Sequence, residues 1–423
     1  MDIGRRVLFI RKKKGVSQKE LAKAIISVSH LSNLESGRYS VSIETLHLLS
    51  KRLEIPPSFL MNELKMNKEF INLLEKALDD IISSVEKGIE TINSIPRQFE
   101  DLFYEISYYL LVGCLYYKSN KLEKAKLNEA ENFPDLSSFI QIETTPEYFK
   151  KIYFYYKGIK NYRNNQLDAS LNYYHQLIEL SLSEQVKAGI NYNLSLIYYK
   201  KLNLFKALKY ADISLERYTD CGHWENVVAL NNFLGGLYSE VNLYEDSLAH
   251  LNKALHLAEQ LKLIKIVAMT YHNKGLLYKS QGILNLAIAE FNKSLKLKEK
   301  HKLPNVALTI FEIISVYTLL NKQTQVKSLL KKCATYISSD YENHKLQSLK
   351  ADNELIEGRE DHFVKLKEKS LEFFLEKGFV QDAIGINKSL GDYYFQRKKY
   401  KSAALYYKSE LTIKSMKERV KYE

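Results

Sequence analysis

The segment NFLGGLYSEVNLYEDSLAHLNKAL, residues 232–255, places small and aromatic residues at helical spacing. Gly235 is followed three residues later by Tyr238 and twelve residues later by a second small residue, Ser247. The same arrangement recurs in NKGLLYKSQGILNLAIAEFNKSL, residues 273–295, and in KSLGDYYFQRKKYKSAALYYKSEL, residues 388–411. A small residue where two helices cross lets them approach closely, and the aromatic side chain fills the space beside it. The segment therefore predicts a pair of packed helices that is repeated along the chain.

Fainter copies extend this pattern over most of the sequence, in steps of 45, 37, 40, 40, 39, 37 and 40 residues. Small-x-x-Tyr in a first helix and a small residue in a second resemble the tetratricopeptide repeat (TPR), although the TPR period is usually about 34 residues. The resemblance implies an all-α right-handed TPR superhelix with a concave inner surface. The glycine position is occupied in turn by Gly113, Gly158, Ser195, Gly235, Gly275, Ile314, Ala351 and Gly391.

The composition agrees with an almost wholly helical protein and excludes several other classes. The 423 residues include only 6 Pro and 16 Gly, which is typical of long helices rather than loops. Three cysteines, far apart, predict neither a disulfide framework nor a metal site, and we expect no cofactor. The charged N-terminal stretch lacks the apolar core of a signal peptide, and no apolar run reaches membrane-spanning length. We therefore expect a cytoplasmic protein that does not contact the membrane.

Charge is concentrated at the start of the chain. Residues 1–62 hold eleven Lys and Arg against five Asp and Glu, a net charge of +6, which is half of the overall +12. A local basic excess is the electrostatic footprint expected of phosphate binding, although a basic surface can also serve solubility alone.

The same sixty residues carry the start and stop signals of five short helices. Ser17 and Glu20 form a capping box, Gly37 ends a third helix, and Ser42 begins a fourth. Pro57 suits the first position of a short fifth helix. The stretches SQKELAKAI, SVSHLSNLESGR and IETLHLLSKRLEIPPSFL together resemble the Xre/Cro-type helix-turn-helix domain.

The third helix of that domain has one face available for DNA. Leu31 and Leu34 must point inward, so the opposite face consists of Val28, Ser29, Ser32 and Asn33, which we call the recognition face. In the resembled fold this face enters the major groove, where Asn33 suits adenine and Val28 suits a thymine methyl. These polar residues could instead merely solvate an exposed helix. The resemblance also implies phosphate contacts for Gln18, Arg38 and Tyr39, and for Arg5, Lys12 and Lys13.

In the resembled TPR fold, the inner wall comes mainly from the first helix of each pair. Asn amides there can hold an extended peptide backbone, Lys and Arg can bind a carboxylate, and Tyr can form flat apolar walls. A polar inner surface can also exist without any ligand. The candidate peptide-binding residues are Tyr155, Arg163, Tyr192, Asn193, Tyr199, Lys200, Asn232, His272, Asn273, Lys279 and Lys388.

The predicted organisation has three parts. Residues 1–62 form the helix-turn-helix DNA-binding domain. Residues 63–98 form a linker helix that could belong to a first repeat. Residues 99–423 form a TPR-like solenoid of about eight repeats.

A helix-turn-helix domain joined to a long TPR solenoid is similar to the Rap, Rgg, NprR, PlcR and PrgX group of Gram-positive regulators, and looks closest to NprR. The resemblance implies a cytoplasmic quorum-sensing regulator. Its solenoid would bind a short signalling peptide, and binding would change the oligomer and the DNA affinity. The implied partners are double-stranded DNA, the peptide, further copies of the chain in a homodimer or higher oligomer and, in some relatives, a response regulator.

Two other functions compete with this one. The solenoid could be a protein-interaction scaffold that sequesters a response regulator or another protein. An enzyme is not expected, because the sequence has no phosphate-binding Gly-Lys loop, no His-Glu-x-x-His and no Ser elbow, so no residue is predicted to be catalytic. A counterpart of the Rap helical module that acts on response regulators is not expected either.

Overall fold

The structure is a computed structural model that describes residues 2–61 and 67–422, with side chains described as far as residue 413. Within these ranges every regular element is a helix, so the predicted all-α class is confirmed. The expected boundary between residues 62 and 63 lies outside the described residues. Among the helices that are described, none is both long and apolar enough to cross a membrane.

Cα packing divides the chain into two compact units, residues 1–197 and 198–423. This division coincides with neither of the expected domain boundaries, near residues 62 and 98, which stay predictions.

The first unit begins with four short helices, and their caps follow the sequence signals. Ser17 and Glu20 form the predicted capping box, and the Ser27 and Ser42 side chains each accept a hydrogen bond from a backbone N–H of the helix that follows. The expected fifth helix is only a single 3₁₀ turn, Pro57–Phe59. The four helices are α1 (Ile3–Lys13), α2 (Gln18–Ala22), α3 (Val28–Glu35) and α4 (Ile43–Arg52).

The described remainder of the first unit consists of helices of 4 to 17 residues, with one 3₁₀ turn at Ile142–Thr144. The division between the two units falls within the last of them. They are α5 (Lys68–Ser83), α6 (Val85–Ser94), α7 (Leu102–Lys118), α8 (Leu122–Asn132), α9 (Leu136–Phe139), α10 (Glu147–Arg163), α11 (Leu167–Ile178) and α12 (Glu184–Lys200).

The second unit alternates first and second helices of repeats, which we call A and B helices; in the first unit α7, α10 and α12 are A helices. The pairs α14–α15, α16–α17, α18–α19, α20–α21 and α22–α23 pack directly together. The helices are α13 (Leu204–Asp220), α14 (Trp224–Glu240), α15 (Tyr244–Gln260), α16 (Ile264–Ser280), α17 (Leu284–Lys300), α18 (Val306–Leu319), α19 (Gln323–Ala334), α20 (Asp340–Ile356), α21 (Glu360–Glu376), α22 (Val380–Gln396) and α23 (Tyr400–Tyr422).

The small position found in the sequence has a constant place in these helices. In α14, α16 and α22 it is Gly235, Gly275 and Gly391, the twelfth residue of a 17-residue A helix. Ile314 departs from this register because α18 begins only after Pro304, at Val306, and is 14 residues long. The spacing of small residues in the sequence therefore reports where consecutive helix pairs cross.

Close approach explains why glycine is used at this position. A Cβ added to Gly275 would lie 2.5 Å from the ring of Phe291 on the paired B helix. The serine twelve residues after the small position also has a defined role, because the Ser247 hydroxyl donates to the Gly235 carbonyl at 2.6 Å. The motif thus joins the A and B helices by both packing and a buried hydrogen bond.

Candidate nucleic-acid interface and peptide-binding wall

The recognition face lies on the exposed side of α3. Leu31 and Leu34 are buried as expected, whereas Val28 is 44% exposed and Ser29, Ser32 and Asn33 are also exposed. Among the described residues, no hydrogen bond engages the three polar side chains of this face. The helix therefore presents two hydroxyls, one amide and one apolar group to an incoming partner.

A buried polar network fixes α3 against α1 and α2. Both side-chain oxygens of Glu35 accept hydrogen bonds from the guanidinium of Arg11, at 2.5 and 2.8 Å, and the Gln18 amide donates to the same carboxylate at 2.8 Å. Gln18 thus supports the recognition helix directly, and its predicted phosphate contact stays a prediction. Glu35 is not among the residues predicted from the sequence, although an acidic residue at the end of an otherwise neutral helix is a visible signal.

Gly4 allows α1 to pack against the end of α3. A Cβ at Gly4 would lie 1.8 Å from the carbonyl oxygen of Leu34, so no other residue fits without moving the backbone. Gly4 was not predicted to matter, because the spacing of its neighbours in the sequence does not indicate that a distant helix packs against it.

Two predicted phosphate-contacting residues lie exposed just beyond α3. Arg38 follows the turn at Gly37, and Tyr39 stacks on His30 with ring centroids 4.8 Å apart. Because His30 belongs to α3, the stack holds the Tyr39 ring against the recognition helix. Both positions remain compatible with contacts to a DNA backbone.

The basic residues of α1 are arranged differently from the expectation. Lys13 forms an ion pair with Glu105 of α7 at 3.0 Å, and its side chain is only 16% exposed, so its expected phosphate contact competes with this ion pair and stays a prediction. Lys12 lies over the ring of Phe139, and Arg5 lies 3.6 Å from Asp2. Charge counted along the sequence does not show which cations have protein partners.

In the first unit, the candidate peptide-binding residues are only partly accessible. Tyr155 is 1% exposed and packs on Tyr174, so its predicted place on a groove wall is wrong, because this position of α10 faces the core. Asn193 donates to the Tyr174 hydroxyl at 3.4 Å, and burial raises the pKa of Tyr192 to about 12. Arg163 is half-buried: one guanidinium nitrogen donates to a backbone carbonyl, while Nε is buried and has no hydrogen-bond partner within residues 2–61 and 67–413.

In the second unit, polar side chains link successive A helices, and we call this set of bonds the A-helix ladder. Asn273 donates to the Asn232 side-chain oxygen at 3.2 Å, joining α16 to α14. Lys279 donates to Glu312 at 2.7 Å and joins α16 to α18. The other bonds join Tyr199 to Glu240 at 2.6 Å, His272 to Thr309 at 3.2 Å, and Tyr341 to Asp382 at 3.2 Å.

The ladder is electrostatically unusual around His272. Burial, with a contribution from nearby Lys298, lowers the pKa of His272 to about 4. Lys298 is itself buried, donates to Thr309 at 2.8 Å, and has its pKa lowered by burial to about 8. His272 is therefore neutral near pH 7, and its ring can exchange hydrogen bonds without a change of charge.

The remaining candidates differ from one another in accessibility. Lys200 and Lys388 are exposed. Asn232 is only 4% exposed, and its side-chain oxygen already accepts a hydrogen bond from Asn273. Glu312 was not predicted from the sequence. It lies two residues before Ile314, as Asn273 lies two residues before Gly275, so applying the repeat pattern to α18 identifies it.

Both regions present groups that can form hydrogen bonds and apolar contacts. In the part of the chain that the structure describes, no group of three His, Cys, Asp or Glu side chains could hold a metal ion. The recognition face offers hydrogen bonds and apolar contact, and the ladder offers amide, hydroxyl, ammonium and carboxylate groups.

Comparison with known sequences agrees with this two-part arrangement. The helix-turn-helix family model matches residues 9–60. Response regulator aspartate phosphatase I of Bacillus subtilis (strain 168) is 22% identical over 262 residues, which are 60% of this chain and 65% of that protein. The chain thus matches less than two thirds of that relative's length. The immunity repressor protein of Bacillus phage phi105 is 29% identical over 110 residues, which are 25% of this chain and 76% of the repressor.

Solved structures show the same fold at low sequence identity. A Rap protein complexed with competence and sporulation factor matches 84% of this chain and 99% of its own, with a TM-score of 0.67 and 18% identity. Apo NprR from B. thuringiensis matches 82% and 99%, with a TM-score of 0.63 and 16% identity. NprR in complex with its cognate peptide NprX matches 81% and 98%, with a TM-score of 0.59 and 18% identity.

These likenesses confirm, at the level of fold, the predicted resemblance to the Rap and NprR group. They also correct one expectation. Because 99% of the Rap chain is matched, the expectation that its helical module has no counterpart here is wrong for the fold.

Proposed function

We propose that this chain is a cytoplasmic quorum-sensing transcriptional regulator. Its helix-turn-helix domain binds double-stranded DNA, and its repeats bind a short signalling peptide that controls DNA binding and oligomeric state. The observation that carries the proposal is an exposed recognition face in a chain with the fold of NprR in complex with its cognate peptide and of a Rap protein complexed with competence and sporulation factor.

The DNA-binding part of the proposal rests on the chemistry of the recognition face. The Asn33 amide can donate to and accept from one adenine edge, and Val28 can contact a thymine methyl. Arg38 and Tyr39 are exposed where backbone phosphates would pass. Phosphate contacts of this kind predict a steep loss of affinity as salt concentration rises.

The test of base reading compares selected and random DNA. We expect Asn33→Ala to weaken binding to a duplex selected from a random pool by a factor of about ten to a hundred, the cost of one bidentate base contact. Binding to a random-sequence duplex should change by less than about twofold. Asn285→Ala, at an exposed position of α17, is the matched control, and an equal loss on both duplexes would refute base reading by Asn33.

The peptide-binding part rests on the A-helix ladder. An extended peptide backbone offers N–H and C=O groups that can replace the Asn232–Asn273 and His272–Thr309 hydrogen bonds. Because each of these bonds joins two repeats, replacing them changes how neighbouring A helices are held and gives the ligand a route to alter the repeat array. Lys388, Lys200 and Arg163 remain candidates for a peptide carboxylate.

Synthetic peptides of five to ten residues, encoded by small reading frames beside the gene, are the appropriate probes. We expect one of them to raise the thermal unfolding temperature of the full chain and to change its DNA affinity. Asn273→Ala should abolish both responses, whereas Asn285→Ala should leave them intact. A peptide response that survives Asn273→Ala would remove the ladder from the proposal.

The proposal includes a homodimer or higher oligomer, because one helix-turn-helix domain reads few base pairs and a second copy doubles the contacts. The terminal repeats are the candidate dimer surface. Light scattering of the full chain with and without DNA should give a mass of at least two chains when DNA is bound.

The second candidate function is a scaffold that sequesters a response regulator. It is favoured by the sequence match to a response regulator aspartate phosphatase. Purified response regulators from the source organism should then bind the full chain without peptide. Binding that an activating peptide does not displace would favour the scaffold over the peptide-controlled regulator.

We propose that neither role requires catalysis by this chain. A phosphorylated response regulator mixed with the full chain should lose its phosphoryl group no faster than it does alone. A faster loss would assign the chain a phosphatase activity and overturn this part of the proposal.

A further inference from the structure

The basic helix α1 is attached to the first repeat helices, and the attachment begins at Arg6. This arginine is 2% exposed, and its guanidinium donates to the carbonyl of Met61 at 3.0 Å. It also lies 3.8 Å from the Asp101 carboxylate and 5.4 Å from the ring centre of Phe103, both near the start of α7. A buried guanidinium with these partners is fixed in position and is not accessible to a phosphate.

Three further contacts, made by Lys13 and Phe9, attach the same side of α1. Lys13 pairs with Glu105 of α7 at 3.0 Å, and the two side chains are 16% and 21% exposed. Lys13 also lies over the ring of Tyr109. Phe9 packs edge-on against Phe139 of α9, with ring centroids 5.3 Å apart.

Asp101 connects this attachment to the helix behind it. Its carboxylate accepts a hydrogen bond from the backbone N–H of Phe103 at 2.7 Å, so the residue caps α7 while it pairs with Arg6. Burial raises the pKa of Asp101, and the Arg6 charge opposes this shift. Both side chains are shielded from water, so each charge is balanced mainly by the other. Separating them would therefore leave a buried, unpaired charge.

The helices α7 and α10 extend from this attachment to a candidate peptide-binding residue. Tyr148, near the start of α10, lies close to Tyr104 of α7, with ring centroids 5.9 Å apart. At the other end, Arg163 of α10 donates to the carbonyl of Lys118, the last residue of α7, at 3.1 Å. One pair of helices thus touches the DNA-binding domain at its beginning and carries Arg163 at its end.

We propose that Arg6, Phe9 and Lys13 are positioning residues that hold the helix-turn-helix domain on α7 and α9, so that α7, α10 and the recognition helix move as one body. This body is the physical link by which a ligand at Arg163 reorients the recognition face. The link to a ligand rests on the proposed function, whereas the docking itself does not.

The competing account is that Lys13 contacts DNA phosphate, as its place in the basic run suggests. Exchanging the charges of Lys13 and Glu105 distinguishes docking from phosphate binding. Glu105 lies on α7 rather than on the DNA-binding domain, so reversing its charge tests the ion pair and not a DNA contact. Under the proposal, Lys13→Glu and Glu105→Lys each weaken docking, and the double variant restores it. Lys19→Glu, an equal charge change at an exposed position of α2, is the matched control.

Docking is measured as a distance in the full chain. Spin labels at Lys51→Cys on α4 and Lys124→Cys on α8, with Cys221→Ala removing the exposed native thiol, give a distance distribution by double electron–electron resonance. We expect one narrow distribution for the parent chain, and a broad one for each single variant as the docking constant falls by roughly fivefold or more. The double variant should return to the narrow distribution. A broad parent distribution, or a double variant as broad as the singles, would overturn the proposal.

A second measurement uses a mixed-sequence 30-base-pair duplex and the dependence of its affinity on salt. Lys13→Ala should leave the salt slope unchanged, whereas Arg38→Ala should lower it by about one unit, as expected for the loss of one phosphate contact. A lower slope for Lys13→Ala would overturn the proposal. If no variant binds DNA, the proposed function fails, while the distance distribution still decides whether the domain is docked.

Discussion

The recognition face and the A-helix ladder are both polar, yet they differ in what their side chains already do. Ser29, Ser32 and Asn33 point outward and are exposed. In contrast, Asn273 is hydrogen-bonded to the preceding repeat and His272 to the following one. The first surface is preorganised and only has to lose water, whereas the second has to exchange internal bonds for bonds to a ligand.

This difference predicts different consequences of binding. A partner of the recognition face meets side chains held on a rigid helix, so little rearrangement accompanies contact. A ligand of the ladder gains affinity only to the extent that its own groups replace the bonds it breaks. In exchange, it changes the links between repeats, which is the property needed of a regulatory site.

The largest effect is expected from a substitution that disrupts the packing of α1 against the recognition helix α3. In Gly4→Ala the new Cβ meets the Leu34 carbonyl oxygen at 1.8 Å, and we expect a loss of about 3 kcal/mol in the stability of the packed α1 and α3. Hydrogen exchange of the amides in both helices measures it.

The matched control for Gly4→Ala is Gly236→Ala on α14, where nothing lies within 4 Å of the added Cβ. Because alanine favours a helix more than glycine does, this change should stabilise the second unit by about 0.5 kcal/mol. Urea unfolding followed by the fluorescence of Trp224, on the same helix, measures this change. Equal effects of the two substitutions would contradict the packing argument.

A slightly smaller effect is expected from Glu35→Gln. The change removes the charge that pairs with Arg11 and weakens the bond from Gln18, at a cost of about 2 kcal/mol, because the group is buried. Hydrogen exchange in α2 and α3 should speed up accordingly. Glu90→Gln, at an exposed position of α6, should leave these rates unchanged.

The ladder can be examined through pH, because folding lowers the pKa of His272 to about 4 from an ordinary value near 6.5. The unfolded chain then binds the proton more strongly. This stabilising contribution is therefore complete above about pH 6.5 and decreases as the pH falls towards 4. Between pH 7 and pH 5 we expect a decrease of about 1 to 2 kcal/mol in the free energy of unfolding of the second unit.

The measurement is urea unfolding at both pH values, for the parent chain and for His272→Gln. The glutamine retains a group that can bond Thr309 but cannot titrate, so its stability should depend less on pH. A variant with the same pH dependence as the parent would exclude His272 as the cause.

The smallest effects on stability are expected from one asparagine substitution in the A-helix ladder and one in the recognition face, and they compare the two regions directly. Asn273→Ala leaves the buried Asn232 oxygen without its donor and should cost about 1 kcal/mol. Asn33→Ala removes an exposed side chain that holds nothing in place, and should change stability by less than about 0.5 kcal/mol. Urea unfolding measures the stability change of Asn273→Ala, and hydrogen exchange of the α3 amides measures that of Asn33→Ala. A larger cost at Asn33 would contradict the preorganised picture.

Several elements were predictable because they depend on neighbours in the chain. The caps at Ser17 and Ser42 and the inward Leu31 and Leu34 follow from spacing within one helix. The glycine at the A–B crossing follows from a small-residue pattern that recurs in most of the helix pairs. Tyr155 was predicted to line the groove but is buried against Tyr174 of α11. The repeat pattern assigns positions to the inner wall without taking into account which neighbouring helix covers them.

Sequence by itself determined the all-α class, the helix-turn-helix signature, the repeat register and the residues of the recognition face, since all of these are local or periodic. Only the tertiary structure decided that Lys13 pairs with Glu105, that Gly4 meets Leu34, and that Asn273 bonds Asn232. These contacts join residues 92, 30 and 41 positions apart. Charge and polarity are visible in a sequence, but whether a charged or polar group has a partner depends on which distant residue folding brings beside it.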